Sequence, residues 1–179
     1  MSNSPVTIDR AGPGDAAELA AVAAATFPLA CPPGSTPDDM SAFIAAVLSE
    51  ERFGEYLSDP SRAVLKAGVD DKVIGYSLLH AAEPADPAVA AVVHPRPVIE
   101  LSKMYVLPEY HSNGVSAQLM DAAVAYARTV GSAGIWLGVN QQNVRAQRFY
   151  GKSGFRVVGT KTFLVGTQTH SDFVMQLEF

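Results

Sequence analysis

Residues 6–9 (VTID) alternate apolar and polar, which predicts a short first strand. Residues 13–27 read as a helix, with Pro13 near its start, Asp15 and Glu18 in the first turns, and Leu19, Val22 and Phe27 as its apolar positions. Four prolines and a glycine make residues 28–37 a predicted loop. Thr36 before Pro37 suits the cap of a second helix, whose apolar face is Phe43, Ile44, Val47 and Leu48, and a short helix is expected over residues 52–57. Two apolar, β-branched runs at 63–69 and 72–79 flank Asp70-Asp71, the pattern of a tight hairpin. Residues 81–97, rich in Ala and Pro, are expected to form an exposed connection, and 98–107 a strand ended by Pro108. Val115, Leu119, Ala122, Ala123 and Tyr126 predict a helix over 114–130. A buried strand at 135–139, a helix running from Asn143 to near Gly151, and strands at 155–165 and 173–178 complete the chain. The order β-αα-ββ-β-α-β-α-ββ implies a mixed α/β fold, with helices on both faces of one sheet.

The strand ending at Pro108, the polar loop His111-Ser112-Asn113-Gly114 and the helix beginning near Val115 form one unit. Its first helical N–H groups lack partners and, with the positive end of the helix dipole, make a site suited to phosphate. Gly114 permits the positive φ such a nest needs, and Ser112 and Ser116 add hydroxyls. A plain strand–loop–helix corner would carry the same glycine. No Gly-x-Gly-x-x-Gly or Gly-Lys-Ser/Thr sequence is present, which argues against nucleotide hydrolysis.

The chain has 179 residues, 48% hydrophobic and 17% charged, a length that suits one domain over 1–179 with a sizeable core. Thirteen Lys+Arg against 18 Asp+Glu give a net charge of −5, which excludes coating of nucleic acid by charge alone. No apolar run approaches the roughly 18 residues of a membrane span, and the first 13 residues lack the regions of a signal peptide, so a cytoplasmic protein is expected. The one cysteine, Cys31, excludes an internal disulfide and a Cys-cluster metal site. His80, His94 and His170 lack paired ligand spacing and read as ordinary surface or satisfied residues, so no metal is expected. The charge is polarised: Asp38, Asp39, Glu50, Glu51, Glu55 and Asp59 crowd one stretch, whereas residues 122–171 hold no acid and six bases, Arg128, Arg145, Arg148, Lys152, Arg156 and Lys161. Solvated helix faces of opposite sign are one explanation; a region for a cation and another for an anion is the second.

Asn143, Ala146, Phe149, Tyr150, Gly154 and Phe155 stand in the pattern Asn-x-x-Ala-x-x-Phe-Tyr-x-x-x-Gly-Phe. With the strand–loop–helix unit before it, this resembles the GCN5-related N-acetyltransferase (GNAT) superfamily over nearly the whole chain. The resemblance implies a GNAT fold with a mixed, mostly antiparallel seven-stranded sheet. It also implies direct transfer of an acetyl group from acetyl-CoA, as co-substrate, to an amine. The stretch beginning at Glu100 (ELSKMYV) and the tail positions Phe163, Gly166, Asp172 and Met175 are similar to the PaiA-type polyamine N-acetyltransferases. His111 stands where the superfamily has Gln or Arg, and Ser116 where it has Gly or Ala.

The resemblance places the pantetheine arm along Tyr105 and Val106, with a backbone N–H there for the oxyanion. The phosphates would lie over His111, Ser112, Asn113, Gly114, Val115, Ser116 and Ala117, and the cofactor would also meet Asn143, Ala146, Tyr150 and Lys152. Tyr150 is the implied general acid for the departing thiolate; on the residues alone it is equally a buried aromatic beside Phe149. Glu100 is the best carboxylate to deprotonate the amine, and otherwise a solvated acid at a strand edge. Cys31 reads as a packed thiol rather than a nucleophile. The acidic 38–59 stretch falls where the superfamily builds its acceptor pocket, so an acidic wall for a polycation such as spermidine or spermine is expected. Other acceptors compatible with the sequence are an amino-group antibiotic, a protein N-terminus or a lysine. The rivals from other classes are a catalytically weak acyl-CoA-binding regulator and a generic nucleotide-binding module. A free edge at the last strands suits a homodimer.

Overall fold

The structure is a computed structural model that describes residues 4–165 and 167–179; Met1, Ser2 and Asn3 of the N-terminal segment and Gly166 of the tail pattern lie outside them. Seven strands form one sheet in the order β1-β2-β3-β4-β5-β7-β6. They are β1 (Thr7–Arg10), β2 (Arg62–Val69), β3 (Lys72–Ala81), β4 (Val98–Val106), β5 (Gly134–Asn140), β6 (Arg156–Val165) and β7 (Gln168–Glu178). Every neighbouring pair is antiparallel except β4 and β5, so the sheet is mostly antiparallel, as expected. Helix α1 (Ala16–Ala30) follows a single 3-10 turn, and α2 (Pro37–Val47) and α3 (Glu50–Ser58) come next. With α1, they bury Leu19, Phe27, Leu48 and Phe53 against one face of the sheet. Helix α5 (Val115–Thr129) covers the other face through Val115, Leu119, Met120 and Ala123, and α6 (Val144–Lys152) packs beside it through Ala146, Phe149 and Tyr150.

Two expectations about connections are corrected. Helix α1 runs through Pro28 to Ala30, into the predicted loop. Proline removes one helical hydrogen bond there, but Phe27 is buried and stacks on Phe43 of α2 with ring centroids 4.5 Å apart, which holds the last turn. Residues 81–97 are not simply exposed. Asp86 accepts a hydrogen bond from the Ala88 N–H and caps the short helix α4 (Pro87–Ala90), which drops Val89 and Val93 into a small core with Val98, Trp136 and Val174. The spacing of Val89 and Val93, one helical turn apart, is the signal for that burial.

One irregularity positions the site. Leu78 of β3 pairs with Lys103 of β4, but the next residue, Leu79, pairs with Leu101, so Ser102 is an extra residue on β4. Such a bulge reverses which face the following side chains address. Ile99 and Leu101 before it, and Met104 and Val106 after it, all join the core under α5. Tyr105 instead joins the core under α1 and α2, and the Lys103 ammonium lies 5.9 Å from the centre of the Phe43 ring. Without the bulge, Lys103 would project into the α5 core.

The hairpin between β2 and β3 closes through Asp70 and Asp71, at φ +50° and +61°, beside the Val69–Lys72 pair. Both lie in the left-handed region that a two-residue hairpin turn demands and that glycine adopts with least strain. Replacing Asp71 by Gly is expected to stabilise the protein by roughly 0.5 kcal/mol. The check is the urea midpoint at constant slope; an unchanged or lowered midpoint contradicts the strain at this turn.

Candidate active site

Strands β4 and β5 pair over only three residues: Val98, Ile99 and Glu100 lie beside Gly134, Ile135 and Trp136. Beyond Glu100 they diverge into a wedge. Two cavities open along it. The first, about 440 Å³, lies towards the N-termini of α5 and α6, and the second, about 290 Å³, lies towards α1, α2 and the β6–β7 hairpin. Ala30, Met104, Tyr105, Asn143, Ala146 and Tyr150 line both, so the two meet at one neck.

The first cavity gathers Tyr105, Val106, His111, Gly114, Ser116, Ala117, Asn143, Ala146 and Tyr150 from the expected cofactor set. Gly114 sits at φ +73° as the N-cap of α5 and supplies no capping side chain. The first helical bond runs from the Gln118 N–H to the Gly114 carbonyl, so the N–H groups of Val115, Ser116 and Ala117 precede the helical ladder. Val115 has its side chain in the core and offers only its backbone. Ser112 and Asn113 are exposed on the turn and line neither cavity, which corrects their expected place. The expectation for His111 also changes. Its Nε2 lies 2.7 Å from the Val106 carbonyl and donates to it, so the imidazole closes the last carbonyl of β4 rather than reaching outwards.

On α6 the expected Lys152 is exposed and lines neither cavity. Each helical residue turns about 100°, so a residue two positions beyond the inward Tyr150 faces away. Arg145, one turn before Phe149, lines the first cavity instead and brings a positive charge to it. The helix starts as expected, with the Asn143 side chain accepting from the Ala146 N–H at 3.1 Å. Tyr150 packs near Phe149 and Phe155 with ring centroids 5.5 and 6.0 Å away, and burial pushes its phenol up to about 12. The hydroxyl therefore stays protonated at neutral pH, at the neck where the cavities join.

The second cavity holds the carboxylates of Glu100 and Asp172 and the amino groups of Lys103 and Lys161. Glu100 stands at the closed end of the wedge, between His80 of β3 and Trp136 of β5 in the sheet register. Lys161 and Asp172 face each other across β6 and β7, with Nζ 3.6 Å from Oδ2. Gly138 of β5 leaves the space they fill, since a Cβ there would lie 2.5 Å from the Lys161 Cε and 3.2 Å from the Asp172 Oδ2. Burial raises the pKa of Asp172, and Lys161 opposes that rise. Burial lowers Lys103 to about 8, against the smaller upward pull of Glu100. Cys31 also lines this cavity, its thiol 3.4 Å from the Phe27 carbonyl and raised by burial, the state of a packed thiol.

The expected acidic wall is absent from this cavity: Asp38, Asp39, Glu50, Glu51, Glu55 and Asp59 line no part of it. Asp39 accepts from the Thr167 N–H, Glu55 pairs with Arg52, and Asp59 holds Ser61 and Arg62. Asp38, Glu50 and Glu51 occupy exposed first turns of α2 and α3, where carboxylates favour the helix dipole. Sequence reading does not single out Lys103, because a bulge leaves no local mark. The Lys161–Asp172 pair is a cross-strand contact whose only signal is hairpin register.

The model of the acetyltransferase (GNAT) family matches residues 27–155. An uncharacterized N-acetyltransferase of Mycobacterium tuberculosis is 48% identical over 164 residues, covering 92% of this chain and 97% of its own length. The crystal structure of a PaiA N-acetyltransferase from Thermoplasma acidophilum in complex with coenzyme A has a TM-score of 0.77 at 21% identity, covering 98% of this chain and 99% of that one. That of a putative streptothricin acetyltransferase from Bacillus anthracis in complex with acetyl coenzyme A has a TM-score of 0.58 at 24% identity, covering 71% and 68%. At such identities the two structures speak for the fold, while the family match and the mycobacterial relative speak for descent. The chain thus belongs to the acetyltransferase (GNAT) family and is an N-acetyltransferase.

Proposed function

We propose that acetyl-CoA is held in the first cavity and that a primary amine enters the second, the acetyl group passing directly between them at the neck. The observation that carries this reading is that Tyr150, Tyr105 and Met104 line both cavities, so both reactants reach one point without a covalent enzyme intermediate. The N–H groups of Val115, Ser116 and Ala117 and the Arg145 guanidinium suit a pyrophosphate. The edge of β4 beyond Glu100, released from β5, offers backbone groups to the pantetheine arm and an N–H to the oxyanion. Acetyl-CoA supplies an activated acyl thioester. Around it, Glu100 removes a proton from the amine, directly or through water, and the Tyr150 hydroxyl delivers one to the sulfur.

A polyamine acceptor loses its electrostatic support once the acidic stretch turns away. Of the two carboxylates in the second cavity, Asp172 faces Lys161, and Lys103 stands against a second ammonium. The geometry favours a compact monoamine over a polycation. A cytoplasmic setting follows from the co-substrate; within the described residues, no helix is long and apolar enough to cross a membrane. The free edge of β6, with Val157 and Leu164 exposed, is where a second copy would pair.

Tyr150→Phe is expected to lower kcat about 100-fold while acetyl-CoA affinity stays within about twofold, since only the proton donor is lost. Thiol release against calorimetric binding measures both, and equal turnover contradicts the acid role. Because the raised phenol is protonated below about 12, kcat in the native protein should show no alkaline fall from this group up to about pH 10. A Tyr150-dependent loss of rate between pH 8 and 10 would contradict the upward shift of the phenol, not its role as acid.

A further inference from the structure

We infer that the acceptor carries a carboxylate beside its amine, and that Lys103 is the residue that holds it. The inference rests on the acceptor cavity assigned above and names the class of molecule that fits there. Of the two cations in the cavity, Lys161 has Asp172 at 3.6 Å. Lys103 makes no ion pair among the described residues; its ammonium has the Ser102 hydroxyl at 3.5 Å and the face of Phe43 at 5.9 Å. A mostly buried ammonium with so little compensation is an unfavourable element unless a ligand supplies the missing anion. It is also placed there deliberately by the backbone, because the bulge at Ser102 turns Lys103 out of the α5 core and onto the acceptor side.

The partners for the other end of such a molecule stand nearby. Glu100 lies on the same face of β4, on the other side of the bulge, and Asp172 lines the opposite wall with its buried Oδ1 in no hydrogen bond among the described residues. An amine directed to those carboxylates and a carboxylate directed to Lys103 would satisfy each with a charge-assisted bond. Phe27 and Phe43 give the cavity an apolar wall, and about 290 Å³ accommodates a free amino acid with an apolar side chain. In the transfer, the amine nitrogen forms its bond to the acetyl carbon as the carbon–sulfur bond breaks. The nitrogen, bound as an ammonium, first gives one proton to Glu100 and loses a second to solvent as the amide forms. Tyr150 gives its proton to the sulfur and is reprotonated from solvent, so one proton is released overall and Lys103 exchanges none, acting in binding alone.

The test pairs amino acids with the amines that lack only the carboxylate: leucine with 3-methylbutylamine, phenylalanine with phenethylamine, valine with isobutylamine. Each is titrated calorimetrically into the protein saturated with CoA, and each is separately assayed for thiol release with acetyl-CoA. The amino acid of at least one pair is expected to bind about tenfold tighter than its amine. Lys103→Met should remove that advantage and Lys103→Arg should keep most of it, with acetyl-CoA affinity reporting that both variants fold. Amines that bind as tightly as their amino acids, or a preference that survives Lys103→Met, overturn the inference; the first result does so in the native protein, whatever the variants do. Preferential amino-acid binding without thiol release would sustain the inference and defeat the transfer reading. Transfer to the amines alone would do the reverse.

Discussion

The parting of β4 from β5 after three paired residues is the constraint on which the rest of this protein depends. A paired sheet satisfies its own backbone, so a strand that leaves its neighbour in mid-sheet must find other partners or keep its polar groups available. Here the separated segment of β4 keeps its outer neighbour, β3, and loses its inner one. His111 takes the final carbonyl, at Val106, and the remaining edge faces the wedge. The bulge at Ser102 belongs to the same event, since an extra residue bends a strand and raises its twist. One local irregularity thus opens a slot through the sheet and changes which side chains look into it.

Charge is arranged around that slot by short-range partners rather than by net balance. The first cavity offers helix N–H groups and Arg145, the features that the proposed pyrophosphate would use. The second cavity, proposed for the acceptor, holds two carboxylates and two ammoniums, one of each facing the other across β6 and β7. The net charge of −5 is expressed mostly elsewhere, on exposed helix turns and in surface pairs such as Arg52–Glu55, which contribute little to stability. An acidic sequence stretch therefore need not be an acidic pocket. In α2 and α3 the caps are Thr36 and Ser49 and the carboxylates pair or face solvent, while Leu48 after α2 and Phe53 of α3 are buried.

The order of elements along the chain and the longer helices were legible because period and capping are local properties. Thr36, Asn143 and Asp70-Asp71 each act at their position as their chemistry predicts. The motif from Asn143 to Phe155 placed Asn143, Ala146 and Tyr150 at the neck, because helical spacing fixes one face. What was not legible depended on register or packing. A bulge moves Lys103 across the sheet without any change in residue pattern, and Lys161 meets Asp172 only once the hairpin is in register. Helix α1 outlasts Pro28 because Phe27 stacks on Phe43 of the next helix, a contact distant in sequence that the local pattern does not show. Lys152 shows the opposite error: close in sequence to Tyr150, it lies on the wrong side of the helix.

The roles proposed for both cavities require that acetyl-CoA bind in the wedge. Amide hydrogen exchange with and without acetyl-CoA tests this directly, reading the backbone of residues 101–106 on β4 together with Val115, Ser116 and Ala117 at the start of α5. Slower exchange in both segments on adding acetyl-CoA is the predicted result, because both present backbone donors that precede or lie outside the regular ladders. Protection that appears elsewhere while these two segments exchange unchanged would contradict it.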